Sequence, residues 1–440
     1  MSIYGYEEAF GAWDKTSKAM RTAIDEWFSL YYEQSATEEN DPCQRIGYSV
    51  VNKLVKTIFG EYQTTAKDPA TQAVVKDLDR LRKQAVQLAL VGGECYIKPC
   101  PGQEGFSFTL IPRNNVLIFG RDADGVPTDL GTVEKSAYGN FYYTLLERRT
   151  VDAQGYLTIE NRLYRSSSST SLGKTVPLSD HPGYGMLPDS YRYPVKIGSV
   201  GVVRMKTPML NCVDGSPDGV SVYAPAVGLI RNIGKNEAQL GGEFSRGESR
   251  IIVSADLLNR NKELSDHLFV GLDEDPERVG ITTFAPQLRE KSYIARKQEY
   301  LRDVESMIGL KRGSLSDAYL EERTATAIES SAADYNLTIL DLQGMWEEAL
   351  CESLRICSVL ADLYKLPVPD GNISVDWGNG VLYDEDRTWE AYQKMVTSGL
   401  LKPEIALGWR FNMPTNTKED LQAIRNRFMP DNKILTVPKS

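Results

Sequence analysis

Residues 324–364 read TATAIESSAADYNLTILDLQGMWEEALCESLRICSVLADLY. Apolar side chains recur there at three and four (Ile328, Ala332, Tyr335, Ile339, Leu342, Trp346, Leu350, Leu354, Cys357, Leu360, Tyr364), the period of a helix with one buried side. At 1.5 Å per residue the stretch makes roughly 60 Å of helix, longer than an ordinary domain is wide. Gly344 marks a place for a kink. Seven carboxylates (Glu329, Asp334, Asp341, Glu347, Glu348, Glu352, Asp362) stand against Arg355 alone, so the polar face is expected to be an acid stripe. The expectation is a helix too long for its own chain to cover.

Upstream, Gly309 to Ser316 is a loop by composition and carries Lys311 and Arg312. Before it, a helix from about Val222 to Gly247 (Val227, Ile230, Ile233, Leu240, Phe244), a strand-rich insert from Ile251 to Phe284 and a second helix from Gln287 to Ile308 read as a stalk with a knob. Glycines 228, 234, 241 and 242 in the first of these helices cost stability relative to alanine, which points to close backbone approach by a neighbour. Arg289, Lys291, Arg296, Lys297 and Arg302 make the second helix locally basic.

The first ~90 residues show helical periods over Glu7–Gln34, Cys43–Glu61 and from Asp68-Pro69 to the break at Gly92-Gly93. From Glu94 to about Pro208 the period changes to two. Cys95–Lys98, Phe106–Ile111, Val116–Phe119, Phe141–Leu146, Leu157–Tyr164 and Val200–Met205 read as short strands, giving an α+β lobe. Downstream, a short strand at Ile373–Trp377 precedes three helices: one ending near Ser398, a short one after the Gly399–Glu404 turn, and one over Asn416–Phe428.

Lys and Arg total 50 against 60 Asp and Glu, a net charge of −10, which excludes a simple basic nucleic-acid clamp. No apolar run reaches the ~18 residues of a spanning helix, and the N-terminus lacks the layout of a signal peptide, so a soluble, unexported chain with no membrane partner is expected. The six cysteines form no CxxC pair, and the two histidines, His181 and His267, starve His-dependent catalysis and most zinc chemistry. The segment SSSTSLGKT has Ser168 where a phosphate loop needs its first glycine, and reads instead as a hairpin tip. Acid pairs Asp122/Asp124, Asp273/Asp275 and Asp384/Asp386 lie in turns where Asp is common for backbone reasons. Neither a catalytic residue nor a metal or cofactor site is expected.

The order of features resembles the portal proteins of tailed double-stranded DNA bacteriophages, particularly long-tailed ones. The residues that carry the resemblance are Ser216 to Tyr223 (SPDGVSVY), Ser249 to Val253 (SRIIV), Met307 to Leu310 (MIGL), Thr324 to Ile328 (TATAI), and Asp386 with the Ser398-Gly399-Leu400 turn. The resemblance implies a ring, typically of twelve copies, at one capsid vertex of the virion, assembled in the host cytoplasm. Its parts would be a mixed α+β wing (1–217), a stem helix (218–247), a small β-rich clip (248–286), a second stem helix (287–308), a tunnel loop (309–323), a long kinked spine helix (324–365), and an edge strand with a helical crown (366–440). It implies no enzymatic activity and no cofactor. Implied partners are double-stranded DNA, passing without regard to sequence, the terminase large subunit, a head-tail adaptor protein, and the major capsid and scaffold proteins. Within that frame Lys311, Arg312, Ser314 and Ser316 become the channel-loop candidates, Glu329, Asp334, Asp341 and Glu348 the channel-facing acids, and Gly234, Gly241, Phe244 and Trp346 the subunit-interface candidates. The alternatives kept open are an assembly or scaffold protein that encloses no DNA, and a metal-dependent enzyme using the acid pairs.

Overall fold

The computed structural model describes residues 5–32, 44–246, 250–254, 269–272, 282–284, 288–317, 325–378, 385–411, 413–415 and 417–429; in 246, 250–284, 325–334 and 385–388 the backbone alone is described. The described residues form a mixed α+β architecture with mainly antiparallel sheets. They divide into two compact units, one of Met1–Ile58 and Thr64–Ser374, the other of Phe59–Gln63 and Val375–Ser440.

The larger unit opens with α1 (Glu7–Phe10) and α2 (Lys18–Tyr32), where the sequence had one continuous period. Gly11 ends α1 in the left-handed conformation at φ 69°, and the Ser17 hydroxyl accepts the Met20 N–H to start α2 afresh. Then come α3 (Ile46–Ile58), strand β1 (Gln63–Ala66) and α4 (Pro69–Gly92). The last follows its local signals closely: Asp68 caps it by accepting Thr71 N–H at 2.8 Å, Pro69 takes the first turn, and Gly93 stops it at φ 81°.

Strands β2 (Glu94–Pro101) and β3 (Phe106–Pro112) form a hairpin, joined on the β2 side by β10 (Val203–Lys206). A six-stranded sheet runs in the order β4 (Val116–Arg121), β5 (Pro127–Tyr138), β6 (Phe141–Val151), β7 (Tyr156–Ser166), β8 (Lys174–Val176), with β9 (Ser190–Lys196) also pairing β7. The segment that superficially resembled a phosphate loop is the β7–β8 connection, as its reading as a hairpin tip expects. A 3-10 turn (Ala224–Ala226) leads into α5 (Val227–Arg246). Then β11 (Arg250–Ser254) pairs parallel with β12 (Phe269–Leu272) and antiparallel with β13 (Thr282–Phe284). Helix α6 (Glu290–Ile308) returns antiparallel along α5: Asn236 meets Tyr293 and Arg296, while Glu243, later in α5, meets Arg289 at the start of α6.

Helix α7 (Ala325–Tyr364) is assigned as one continuous element through Gly344. Its described side chains correct one expectation. Ile339, Leu342, Trp346, Leu350, Leu354, Cys357 and Leu360 are all buried inside their own chain, where α7 packs on β2, β10, α3 and α4. A helix on two packed layers can be covered over most of its girth whatever its length. Strand β14 (Ile373–Asp376) follows.

The smaller unit holds α8 (Glu385–Thr397), α9 (Pro403–Arg410) and α10 (Lys418–Phe428). Thr417 and Asp420 make a reciprocal capping box at the start of α10, Phe411 stacks on Phe428 at 4.4 Å, and Arg425 reaches Glu404 at 2.6 Å. No helix among the described residues is long and apolar enough to cross a membrane.

Candidate DNA-conduit and subunit-contact surfaces

The loop that joins the sheets to α5 is held by buried charge. Glu94, Arg113 and Asp218 are each at most 1% exposed. Asp218 accepts from Arg121 at 2.6 Å and Arg113 at 3.1 Å, and Arg113 continues to Thr16 Oγ1 at 2.9 Å. Glu94 pairs with Arg204 and accepts from the Tyr96 hydroxyl at 2.7 Å and the Gly219 N–H at 2.8 Å. Burial pushes the Glu94 carboxyl up, but the guanidinium groups of Arg204 and Arg113 outweigh it and hold the group below the usual carboxylate range. Gly93 and Gly219 touch backbone to backbone; a Cβ on either would lie 2.3 or 2.2 Å from the other's carbonyl oxygen. The Ser216–Tyr223 stretch is therefore a rigid base for α5.

From that base the helix pair α5–α6 is joined by polar contacts. Arg296 Nε donates to Asn236 Oδ1 at 2.7 Å, Lys297 pairs with Glu237, and Arg289 with Glu243 at 3.1 Å. The Arg289 hydrogen bonds draw the Glu243 carboxyl down to about 2. Four of the five basic residues singled out on α6 thus have partners in their own chain, the fourth being Arg302 with Glu299. Gly234 is half-buried and Gly241 exposed; seven residues apart, they stand about two turns from each other on nearly the same face of α5, with open space where a Gly241 side chain would stand. Phe244 is 44% exposed. Trp346 is 0% exposed in the single chain, so it has no surface to offer a second copy and is a core residue.

At the base of α6 the chain turns through Gly309 (φ 75°), where a side chain would strike Thr338 of α7 at 2.6 Å. Lys311 and Arg312 are exposed, Ser314 is half-buried and Ser316 is buried. The Ser316 hydroxyl donates to Glu305 at 2.9 Å, which takes it out of any contact with a passing ligand. Asp341 and Glu348 lie exposed on one stripe of α7 with Leu337, Leu340, Arg355 and Asp362; the side chains of Glu329 and Asp334 fall outside the described residues. Arg355 interrupts the acid stripe, pairing with Glu352 and donating to Ile197 O at 3.0 Å.

Sequence reading missed several residues. Ile294 and Met307 on α6, and Leu337 and Leu340 on α7, are 44%, 53%, 60% and 44% exposed. The last two are apolar residues on the acidic side of the period, and that misplacement was the available signal. Glu305, buried at the root of the turn, has no local sequence signal that separates it from the other carboxylates of its helix. Of the acid pairs, Asp122 accepts the Asp124 and Val126 N–H groups in the β4–β5 turn; Asp273, Asp275, Asp384 and the Asp386 side chain fall outside the described residues. Among the described residues no group of three or more His, Cys, Asp and Glu is placed to hold a metal ion.

A comparison with curated proteins returns no match. The family model described as phage portal protein, SPP1 Gp6-like, matches residues 131–427, a span that takes in β6, both helices of the α5–α6 pair, the turn after them and the whole of α7. The match covers about two thirds of the chain, and on it the chain belongs to the SPP1 Gp6-like family of phage portal proteins, structural, non-enzymatic components of the virion.

Proposed function

We propose that this chain is one stave of a closed ring, twelve copies being the number the resemblance implies, that stands at a single capsid vertex and passes double-stranded DNA inward during packaging and outward during ejection. The observation that carries the reading is the order inside the matched span: an antiparallel helix pair bearing a small β insert at one end and an exposed Lys311-Arg312 turn at the other, running into a forty-residue helix with an exposed carboxylate stripe. In portal terms residues 1–217 are the wing, 218–247 and 287–308 the stem, 248–286 the clip, 309–323 the tunnel loop, 324–365 the spine, and 366–440 an edge strand and crown.

The electrostatics favour a conduit over a clamp. Every phosphate neutralised by Lys or Arg releases counterions and makes DNA binding tight. A passage must let the duplex slide. With −10 per chain, and Asp341 and Glu348 exposed together, a ring repels DNA from its wall, while Lys311 and Arg312 approach the backbone locally. Copies meet through apolar side chains left uncovered on the stem and spine (Phe244, Ile294, Met307, Leu337, Leu340) and through the opening beside Gly241, with Gly234 about two turns before it. Such a heterologous contact makes a ring when its rotation closes. The clip, at the ring's end, is the platform for the terminase large subunit and later for the head-tail adaptor; the wing faces the capsid and scaffold proteins.

Negative-stain imaging of the purified protein tests the reading. Rings with a central hole are expected, and compact particles without one would favour a scaffold that encloses no DNA. Replacing Lys311 and Arg312 together with Ala is expected to lower DNA packaged per particle, and unchanged packaging would remove the loop from DNA contact.

A further inference from the structure

The turn after α6 is built around one buried carboxylate. Glu305 is 0% exposed, and both of its oxygens are occupied by the loop that follows it. Oε1 accepts the N–H groups of Leu315 and Ser316, the latter at 2.8 Å; Oε2 accepts the Gly313 N–H at 3.2 Å and the Ser316 hydroxyl at 2.9 Å. The Glu305 carbonyl also accepts the Leu310 N–H at 2.8 Å, and Leu310 is itself buried. Just beyond, Asp317 N–H donates to Gln298 Oε1 at 2.8 Å. Gly309 and Gly313, at φ 75° and 82°, supply the two left-handed positions that fold the backbone around the carboxylate. Lys311 and Arg312 are the residues of this turn left pointing at solvent with no backbone hydrogen bond to Glu305.

A loop meant to sweep freely would leave its amides to water. Here three of them and a hydroxyl converge on a charged acceptor away from water, where charge-assisted hydrogen bonds are strongest and costliest to break. We infer that Glu305 is a positioning residue: it locks residues 310–316 into a preformed turn, so that Lys311 and Arg312 are held out as a fixed cationic pair rather than carried on a mobile loop. The lock stands on geometry alone. Its consequence for DNA rests on the portal reading: a fixed pair meets the duplex at one place and leaves it without reordering the chain, which suits a sliding contact.

Amide hydrogen exchange read by mass spectrometry on the assembled full-length protein separates the two. In the unaltered protein the amides of 313, 315 and 316 should exchange at least about tenfold more slowly than those of an open loop. Glu305→Ala should abolish that protection while the sheets keep theirs. Glu305→Gln, which keeps the shape but offers one acceptor oxygen instead of two, should fall between; it also serves if the alanine variant does not fold. Protection unchanged in Glu305→Gln and in Ser316→Ala would overturn the lock. For the positioning role, packaging by Glu305→Ala should be lowered to the level of the Lys311→Ala/Arg312→Ala variant, and the triple variant should be no worse. A further loss in the triple variant would show that Glu305 acts other than through the pair, and would overturn that role. If the double variant packages normally while Glu305→Ala still loses protection, the lock stands and the DNA contact fails.

Discussion

The junction that feeds α5 and the α5–α6 pair beyond it are both held by opposite charges, yet solvent gives those charges different weight. At the junction Glu94, Arg113 and Asp218 are shut away from water and each makes several hydrogen bonds; on the helix pair the side chain of Arg289 is 73% exposed and pairs with one carboxylate. Buried, hydrogen-bonded ions cannot be deprived of a partner cheaply, whereas exposed pairs trade contact for hydration at almost no net gain. The junction is completed within one chain. The α5–α6 pair, with looser polar stitching, leaves Phe244 and Ile294 uncovered, where the proposed ring sets a neighbour.

The sharpest way to break that contrast is to remove a buried partner. Glu94→Ala leaves Arg113 and Arg204 facing each other without their shared carboxylate and is expected to cost about 3–5 kcal/mol in denaturant unfolding; a loss under about 1 kcal/mol would mean that water reaches the junction. Trp346→Ala is expected to cost a similar 3–5 kcal/mol by emptying a core site. Its loss should be independent of protein concentration; a concentration-dependent loss would return Trp346 to the subunit interface.

Acid supplies a graded test. Burial raises the Glu147 carboxyl, but Arg149 and Lys98 beside it bring it down to about 2. Because the folded value lies below the unfolded one, near 4.5, the group stabilises fully above about pH 5, and that contribution is lost as pH falls toward 2. The contribution is roughly 3 kcal/mol, and Glu147→Gln should flatten the unfolding profile between about pH 4.5 and 2. The smallest effect belongs to the α5–α6 pair: Arg289→Ala should leave the melting midpoint of the chain within error, and a clear drop would show that the helix pair carries stability of its own.

How much of this was legible depended on where the determinants sit. Helix α4 was readable almost to the residue because Asp68, Pro69, Gly92 and Gly93 act through the backbone next to them. Strand β5 was missed: Pro127–Tyr138 lacks an apolar alternation, and it forms by pairing with β4 and β6 on either side. Its Gly131 has a tertiary cause, since a Cβ there would meet the rings of Phe10 and Phe119 at 2.7 and 2.8 Å. In α7 the period located the apolar stripe correctly, but a period cannot tell a helix's own sheet from a second copy, and from Ile339 to Leu360 the stripe proved to be core. At the site, the exposure of Lys311, Arg312, Asp341 and Glu348 followed from composition, whereas the role of Glu305 depends on amides that only the folded turn brings together.

Light-scattering mass of the purified full-length protein, followed over a wide range of concentration, bears most directly on whether identical chains complete one another. Closure predicts a single discrete assembly many times the 49.2 kDa subunit, about 590 kDa for twelve copies. A folded, monodisperse particle of 49.2 kDa at every concentration would contradict it.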